Sequence, residues 1–147
     1  MKKMLIVMLL FILCKNANGQ TITITNHSSC SYFSNVTASD ASPLCPVTTG
    51  YYAPGINIPA AKGGVPSVTT INSSAPWSSP PPPPSFVWNN IMIDDYLCGG
   101  IQINFAIGTC QAASPSTGTY SFPCTTCAGS ISWSWSMSGV NANIDIY

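Results

Sequence analysis

The sequence predicts an all-β fold, an antiparallel β-sandwich of about seven to nine short strands that is stapled by disulfides. Polar and apolar residues alternate through several segments, as they do in strands that bury one face. Residues that favour turns separate these segments at short intervals. No segment has the three-to-four spacing of apolar residues that a helix requires. A small β-barrel is the alternative architecture.

Residues 1–19 have the pattern of a secretory signal peptide. Lys2 and Lys3 form a basic head, an apolar run of 11 residues extends from Met4 to Cys14, and Ala17 and Gly19 are small. A transmembrane anchor would need about 20 apolar residues. We therefore expect cleavage after Gly19 and export to the periplasm, the cell surface or the extracellular space. Only the signal peptide, which is removed by cleavage, is then expected to contact the membrane.

Residues 20–147 have the length of a single domain and carry very little charge. Lys62 is the only basic residue in this range, against four aspartates, so the net charge is −3 with histidine neutral. The sequence contains no arginine and no glutamate. Such a chain cannot neutralise a phosphate backbone, so nucleic-acid binding is excluded.

The first half of this domain contains several short segments with strand character. Thr21–Thr25 places isoleucines inward and threonines outward, and Ser31–Ala38 has Tyr32, Val36 and Ala38 on one face. Further along we expect two short strands, a glycine turn and another β stretch, at Tyr51–Tyr52, Ile56–Ile58, Gly63–Gly64 and Val65–Ile71.

A proline-rich loop is expected at 76–85, because Pro80–Pro84 form an unbroken row. Five consecutive prolines lack backbone donors and favour a polyproline II rod of about 15 Å. Such a rod cannot lie within a sheet. We expect an exposed loop or a crossover between two sheets.

Phe86–Asp94 is predicted to be a central strand, because apolar residues occur on both of its faces. The expected faces are Phe86, Trp88 and Met92 on one side, and Val87, Ile91 and Ile93 on the other. Asp94-Asp95 is expected to be a turn. Two further strands are expected at Ile101–Ile107 and Thr119–Phe122.

The C-terminal 18 residues, from Ser130, predict a β-hairpin with one apolar face. One expected strand aligns Ile131, Trp133, Trp135 and Met137, and the other aligns Val140, Ala142, Ile144 and Ile146. Because Trp133 and Trp135 share their face with isoleucine and methionine, we expect both to lie in the core.

Six cysteines remain after signal cleavage, an even number that predicts three disulfides in an exported chain, at Cys30, Cys45, Cys98, Cys110, Cys124 and Cys127. Fifteen pairings are possible for six cysteines. Sequence proximity favours Cys30 with Cys45 and Cys98 with Cys110, which leaves Cys124 with Cys127.

No group of residues predicts catalysis, a metal site or a cofactor. His27 is interpreted as a surface-loop histidine, since a catalytic role would need a nucleophile and an orienting acid. Cys124 and Cys127 have a redox or zinc spacing, but no helix follows them and the compartment favours disulfides. Asp94-Asp95 lacks the oxygen ligands of a calcium site.

Trp77 is the candidate ligand-binding residue. It lies next to Pro76 and the proline row, so it is the tryptophan most expected at the surface. An exposed indole can stack on a sugar ring by apolar contact. Asn26, Asn35 and Asn72 each begin an N-glycosylation pattern.

Ile22-Thr23-Ile24-Thr25-Asn26, followed by Cys30-Ser31-Tyr32, resembles the first strands of thaumatin-like proteins and of small exported bacterial β-sandwich proteins of unassigned activity. The resemblance covers only this N-terminal segment. The plant family carries far more cysteines, and its acidic cleft has no evident counterpart here. The resemblance therefore implies no site residues.

The predicted function is a secreted, non-catalytic binding or adhesion module, with carbohydrate among its expected ligands and a glycan or cell-surface protein as partner. One alternative is a structural subunit of an extracellular fibre or matrix, whose final strand self-associates edge to edge. The other alternative is a small secreted hydrolase or toxin.

Overall fold

A computed structural model of the chain describes residues 20–40, 50–78, 82–83, 86–95, 101–106, 116–121, 130–138 and 141–147. These ranges contain nine strands, namely β1 (Ile22–Asn26), β2 (Tyr32–Asp40), β3 (Gly50–Ile58), β4 (Ser67–Ile71), β5 (Phe86–Asp95), β6 (Ile101–Ala106), β7 (Thr117–Ser121), β8 (Ser130–Ser138) and β9 (Asn141–Ile146). No helix with the length and hydropathy of a membrane span occurs in the described ranges. The predicted signal peptide lies outside them. The all-β prediction is confirmed.

The strands form two sheets. One has five strands in the order β4-β1-β9-β8-β7, and the other has four in the order β3-β2-β5-β6. Neighbouring strands are antiparallel except β1 and β9, which are parallel. Neither sheet closes on itself within the described residues, so these strands do not form the alternative barrel.

The inward faces of both sheets contribute to one apolar cluster. Ile22 and Ile24 of β1 are fully buried, as the alternation predicted. On the other sheet, Phe105 of β6 reaches Trp133 of β8 with an edge-to-face contact, at 5.9 Å between ring centroids. The two sheets therefore touch through aromatic side chains as well as through aliphatic ones.

The strand at Gly50–Ile58 corrects the prediction of two short strands separated by Pro54-Gly55. β3 is continuous, and its pairing with β2 shifts register between Ser34 and Val36. The irregularity takes in Pro54 and Gly55, where Gly55 has a φ of 67°. The Gly55 amide donates to Asn35 Oδ1 at 2.9 Å. A proline and a left-handed glycine are tolerated here because β3 is an edge strand with a bulge.

The predicted faces of β5 are wrong, although its central position is confirmed by pairing with β2 and β6. Opposite β2 the register moves from Thr37–Asn90 to Ala38–Trp88, which makes Asn89 an extra residue. A bulge reverses the alternation beyond it. The inward residues are consequently Phe86, Trp88, Ile91 and Ile93, all buried.

The connection from β4 to β5 passes from one sheet to the other, as a crossover was predicted to do. Pro82 is buried and Pro83 is half-buried, so this part of the connection is not fully exposed. The carbonyl of Pro83 accepts a hydrogen bond from the Phe86 amide at 3.1 Å. The other prolines of the row lie outside the described residues.

The predicted C-terminal pair of strands is confirmed as β8 and β9, with Trp133 opposite Ile146 and Trp135 opposite Ile144, whereas Val140 lies outside the described residues. Burial falls along β8, from Ile131 at 2% exposed to Met137 at 42%. Trp133 and Trp135 are half-buried against the core rather than enclosed by it. β9 lies between β1 and β8, so the predicted edge-to-edge pairing by the final strand is wrong.

Cys30 is buried, with 4% of its surface exposed, and it is disulfide-bonded. Cys45, Cys98, Cys110, Cys124 and Cys127 lie outside the described residues. The three-disulfide framework and its pairing therefore stay predictions.

Candidate functional site

Trp77 packs at the margin of the core. Its indole stacks on Trp88 at 5.7 Å between centroids and meets Phe86 edge to face at 5.9 Å. Its Nε1 donates to the Ser73 carbonyl at 3.1 Å. Trp77 is half-buried, in the same class as Trp133 and Trp135, so the structure does not set it apart as the tryptophan at the surface.

A groove of about 200 Å³ lies just before Trp77 in the chain, between β3 and the residues that follow β4. Its lining includes Ile56, Thr70, Asn72 and Ser74. The Oδ1 atom of Asn72 accepts hydrogen bonds from Ser74 N at 2.8 Å and Ser74 Oγ at 2.6 Å. This Asx turn shapes the groove wall at the end of β4.

The outward side of the five-stranded sheet is a mostly polar surface, which we call the polar face, and Val68 is its exposed aliphatic residue. Alternation turns the isoleucines of β1 and β9 inward, so their short polar neighbours point out. Strand pairing aligns these residues in rows across the sheet. The polar face comprises Thr23, Thr25, Val68, Thr70, Thr117, Thr119, Ser132, Ser134, Ser136, Asn143, Asp145 and Tyr147.

Tyr147 supplies the aromatic ring of the polar face. It continues the register of β9 by hydrogen-bonding the Ser132 backbone in both directions, at 2.8 and 3.2 Å. Its ring stacks on His27, with centroids 4.7 Å apart and planes within 8°. The residue is 55% exposed, so the stack holds a ring at the surface instead of burying it.

His27 is exposed as predicted, but an acid that the sequence did not reveal lies beside it. Its Nε2 is 3.1 Å from Asp145 Oδ1. Asp145 reaches this position because β1 and β9 are parallel neighbours, and His27 directly follows β1. Among the described residues, the imidazole makes this polar contact to Asp145 and a ring contact to Tyr147.

Asp94 corrects the prediction of a turn acid. It lies inside β5 and is 1% exposed, and its Oδ2 accepts a hydrogen bond from Asn35 Nδ2. No group of three or more potential metal-ligating side chains occurs in the described part of the chain.

Two of the three glycosylation patterns begin at buried asparagines. Asn26 is fully buried and Asn35 is 7% exposed, so neither amide is accessible for modification in the folded chain. Asn72, beside the groove, is half-buried.

Comparison of the chain with known protein families, with curated proteins and with solved structures finds no match.

Tyr147 and the row that surrounds it were missed from the sequence. Alternation through β9 would have put Tyr147 on the same side as Asn143 and Asp145. What the sequence could not supply was the neighbour of β9, since parallel pairing with β1 joins residues about 120 positions apart along the chain.

Proposed function

We propose that the mature chain is an exported, disulfide-stapled β-sandwich that acts as a non-catalytic binding module for neutral carbohydrate. The observation that carries this proposal is the polar face, a surface of short hydroxyl and amide side chains around the exposed Tyr147 ring. In this proposal Trp77 is a packing residue beside the site and not the ligand-binding aromatic.

The chemistry of the polar face fits a sugar polymer. Serine and threonine hydroxyls and the asparagine amide both donate and accept hydrogen bonds, and sugar hydroxyls do the same. An aromatic ring offers apolar contact to the C–H face of a pyranose. The only acid, Asp145, has His27 at 3.1 Å, and no lysine or arginine lies on the polar face. A neutral ligand is therefore favoured over a charged one.

The proposal is tested by Tyr147→Ala, with Tyr120→Ala as its matched control. Tyr120 is also exposed, at 48%, but it pairs with the buried Ile131 and so lies off the polar face. We expect a glycan array and affinity electrophoresis in neutral polysaccharide gels to show binding by the unmodified chain. Tyr147→Ala is expected to weaken it about tenfold or more, as for a central aromatic contact. Equal behaviour of the two variants, or no retention of any polysaccharide, would overturn the proposal.

A second candidate, a subunit of a fibre or matrix, is favoured by the outer strands of the five-stranded sheet. Within the described residues β4 and β7 each pair on one side only. Unpaired strand edges can add a strand from a second copy. Light scattering across a concentration series distinguishes the two candidates, because a mass that grows with concentration supports the fibre and a constant monomer mass contradicts it.

A further inference from the structure

Thr70 belongs to two features at once. It is an outward residue of β4 in the polar face, paired with Thr23, and it also lines the groove. The groove is thus continuous with one end of a polar row that runs Thr70, Thr23, Asn143 and Ser136 across four strands. Tyr147 lies further along the same face, in the next rows of β9.

We infer that the groove and the polar face form one elongated site, which binds a single linear chain of a neutral polysaccharide with its end in the groove and an inner sugar on Tyr147. This inference rests on the proposed function, and it adds the length and direction of the ligand.

The distance between the two ends sets the length. β4 and β9 are separated by β1, so they lie about 10 Å apart, and the four residues from Asn143 to Tyr147 add about 13 Å along the strand. The diagonal from Thr70 to Tyr147 is therefore about 16 Å. A disaccharide is too short to contact both ends, whereas a longer oligosaccharide can lie over Thr23 and Thr25 on the way.

The groove suits the terminal sugar. Ile56 offers apolar contact, while Thr70 and Asn72 offer polar groups. Asn72 holds Ser74 through its Oδ1, so this turn does not use its Nδ2 donors. A volume of about 200 Å³ is below the usual range for drug-sized ligands, so it fits one ring and not several.

The twist of the sheet favours a single polysaccharide chain as the ligand over the flat surface of a crystalline polysaccharide. Adjacent strands rotate by about 20–25° relative to each other, so the rows of a five-stranded sheet cannot match a flat lattice along their whole length. A linear oligosaccharide can follow the rotation through its glycosidic bonds.

The experiment uses oligosaccharide ladders from one to six sugars, prepared from linear glucan, mannan, xylan and galactan, with affinity measured by calorimetry. Thr70→Arg is compared with Asn104→Arg, because Asn104 is also an exposed polar residue on an outer strand, but it belongs to the four-stranded sheet and lies away from the polar face. We expect the affinity of the unmodified chain to rise beyond the disaccharide and then level off. Thr70→Arg is expected to abolish that rise, which lowers the affinity for the longer oligosaccharides about tenfold, and to leave disaccharide binding unchanged. Asn104→Arg is expected to keep the whole profile.

The outcomes separate this inference from the proposed function. Binding that depends on Tyr147 but not on ligand length, or that is equally affected by both arginine variants, overturns the elongated site alone. Binding to none of the ladders overturns the inference together with the proposed function. Circular dichroism and thermal unfolding of each variant establish that the fold is retained.

Discussion

Asn26 shows how one buried polar residue organises the end of β1. It is fully buried, and its Nδ2 donates to the carbonyls of Cys30 and Pro59 at 2.7 and 2.8 Å. Its Oδ1 accepts from Ser28 N at 3.0 Å and from Ser28 Oγ at 2.8 Å. The side chain therefore ties the turn after β1 to the end of β3. His27, which supports the Tyr147 ring, is the next residue in this turn.

We predict that Asn26→Ala lowers the free energy of unfolding by about 2–4 kcal/mol, because it removes several hydrogen bonds and leaves buried carbonyls unpaired. Asn57→Ala, at an exposed position of β3, is the control and is expected to change stability by less than about 0.5 kcal/mol. Urea denaturation of the oxidised protein measures both. Equal midpoints for the two variants would contradict the structural role of Asn26.

The site was harder to predict from the sequence than the fold, and single residues show why. Asn26 begins a glycosylation pattern and ends a polar-apolar alternation, so its sequence context indicated a surface turn. Its burial depends on Pro59, 33 positions away along the chain. The Trp77 prediction used only the neighbouring prolines, whereas the position of its ring depends on Phe86 and Trp88 across the crossover.

At the scale of elements, the close packing of β7 against β8 depends on a glycine. Gly118 of β7 lies directly opposite Trp133 of β8. A Cβ atom at Gly118 would overlap the Trp133 ring, with Cε2 at 2.6 Å. The indole thus lies over the glycine backbone and is free to contact Phe105 of the other sheet. An aromatic residue that covers a glycine on the neighbouring strand also compensates for the missing side chain.

Gly118→Ala is predicted to destabilise the protein by about 1–3 kcal/mol, because the added methyl group must displace the Trp133 ring. Gly50→Ala provides the comparison, since a Cβ at Gly50 would have no atom within 4 Å. That substitution is expected to be neutral or to stabilise by up to about 1 kcal/mol through the unfolded state. Chemical denaturation followed by tryptophan fluorescence tests the pair, and a larger loss at Gly50 than at Gly118 would refute the assigned contact.

Strand periodicity predicted the inward residues wherever a strand was regular. β1 and β9 follow the expected pattern of buried isoleucines. The prediction failed at bulges, because Asn89 adds one residue to β5 and reverses the faces beyond it. Nothing local distinguishes Asn89 from its neighbour Asn90. The order of strands in each sheet could not be predicted either, because strand pairing depends on contacts between residues that are far apart in the sequence.

At the scale of the whole molecule, the described chain combines a shared apolar core with a nearly uncharged exterior. Short hydroxyl and amide side chains replace the charges that usually keep a surface soluble. The same replacement gives the polar face its hydrogen-bonding groups. The inward residues of these strands therefore form the core that stabilises the fold, and the outward residues of the five-stranded sheet form the proposed site.

Disulfides are expected to add to this core. Cys30 is already disulfide-bonded in the structure, at the turn that Asn26 holds. We predict that the oxidised mature chain is lighter than the reduced chain by six hydrogens, one for each of the six remaining cysteines. Reduction is expected to lower the free energy of unfolding by about 2–4 kcal/mol per bridge, because it releases the unfolded chain from closed loops.

The proposed pairing of Cys30 with Cys45 is tested by the double variant Cys30→Ser with Cys45→Ser. If the two residues form one bridge, their removal leaves the other four cysteines paired, and alkylation in denaturant without reductant labels no thiol. The double variant Cys30→Ser with Cys98→Ser is the control, because it would break two bridges and leave two thiols for the reagent. Two labelled thiols in the first variant would contradict the pairing, and six in the unmodified chain would contradict the disulfide framework itself.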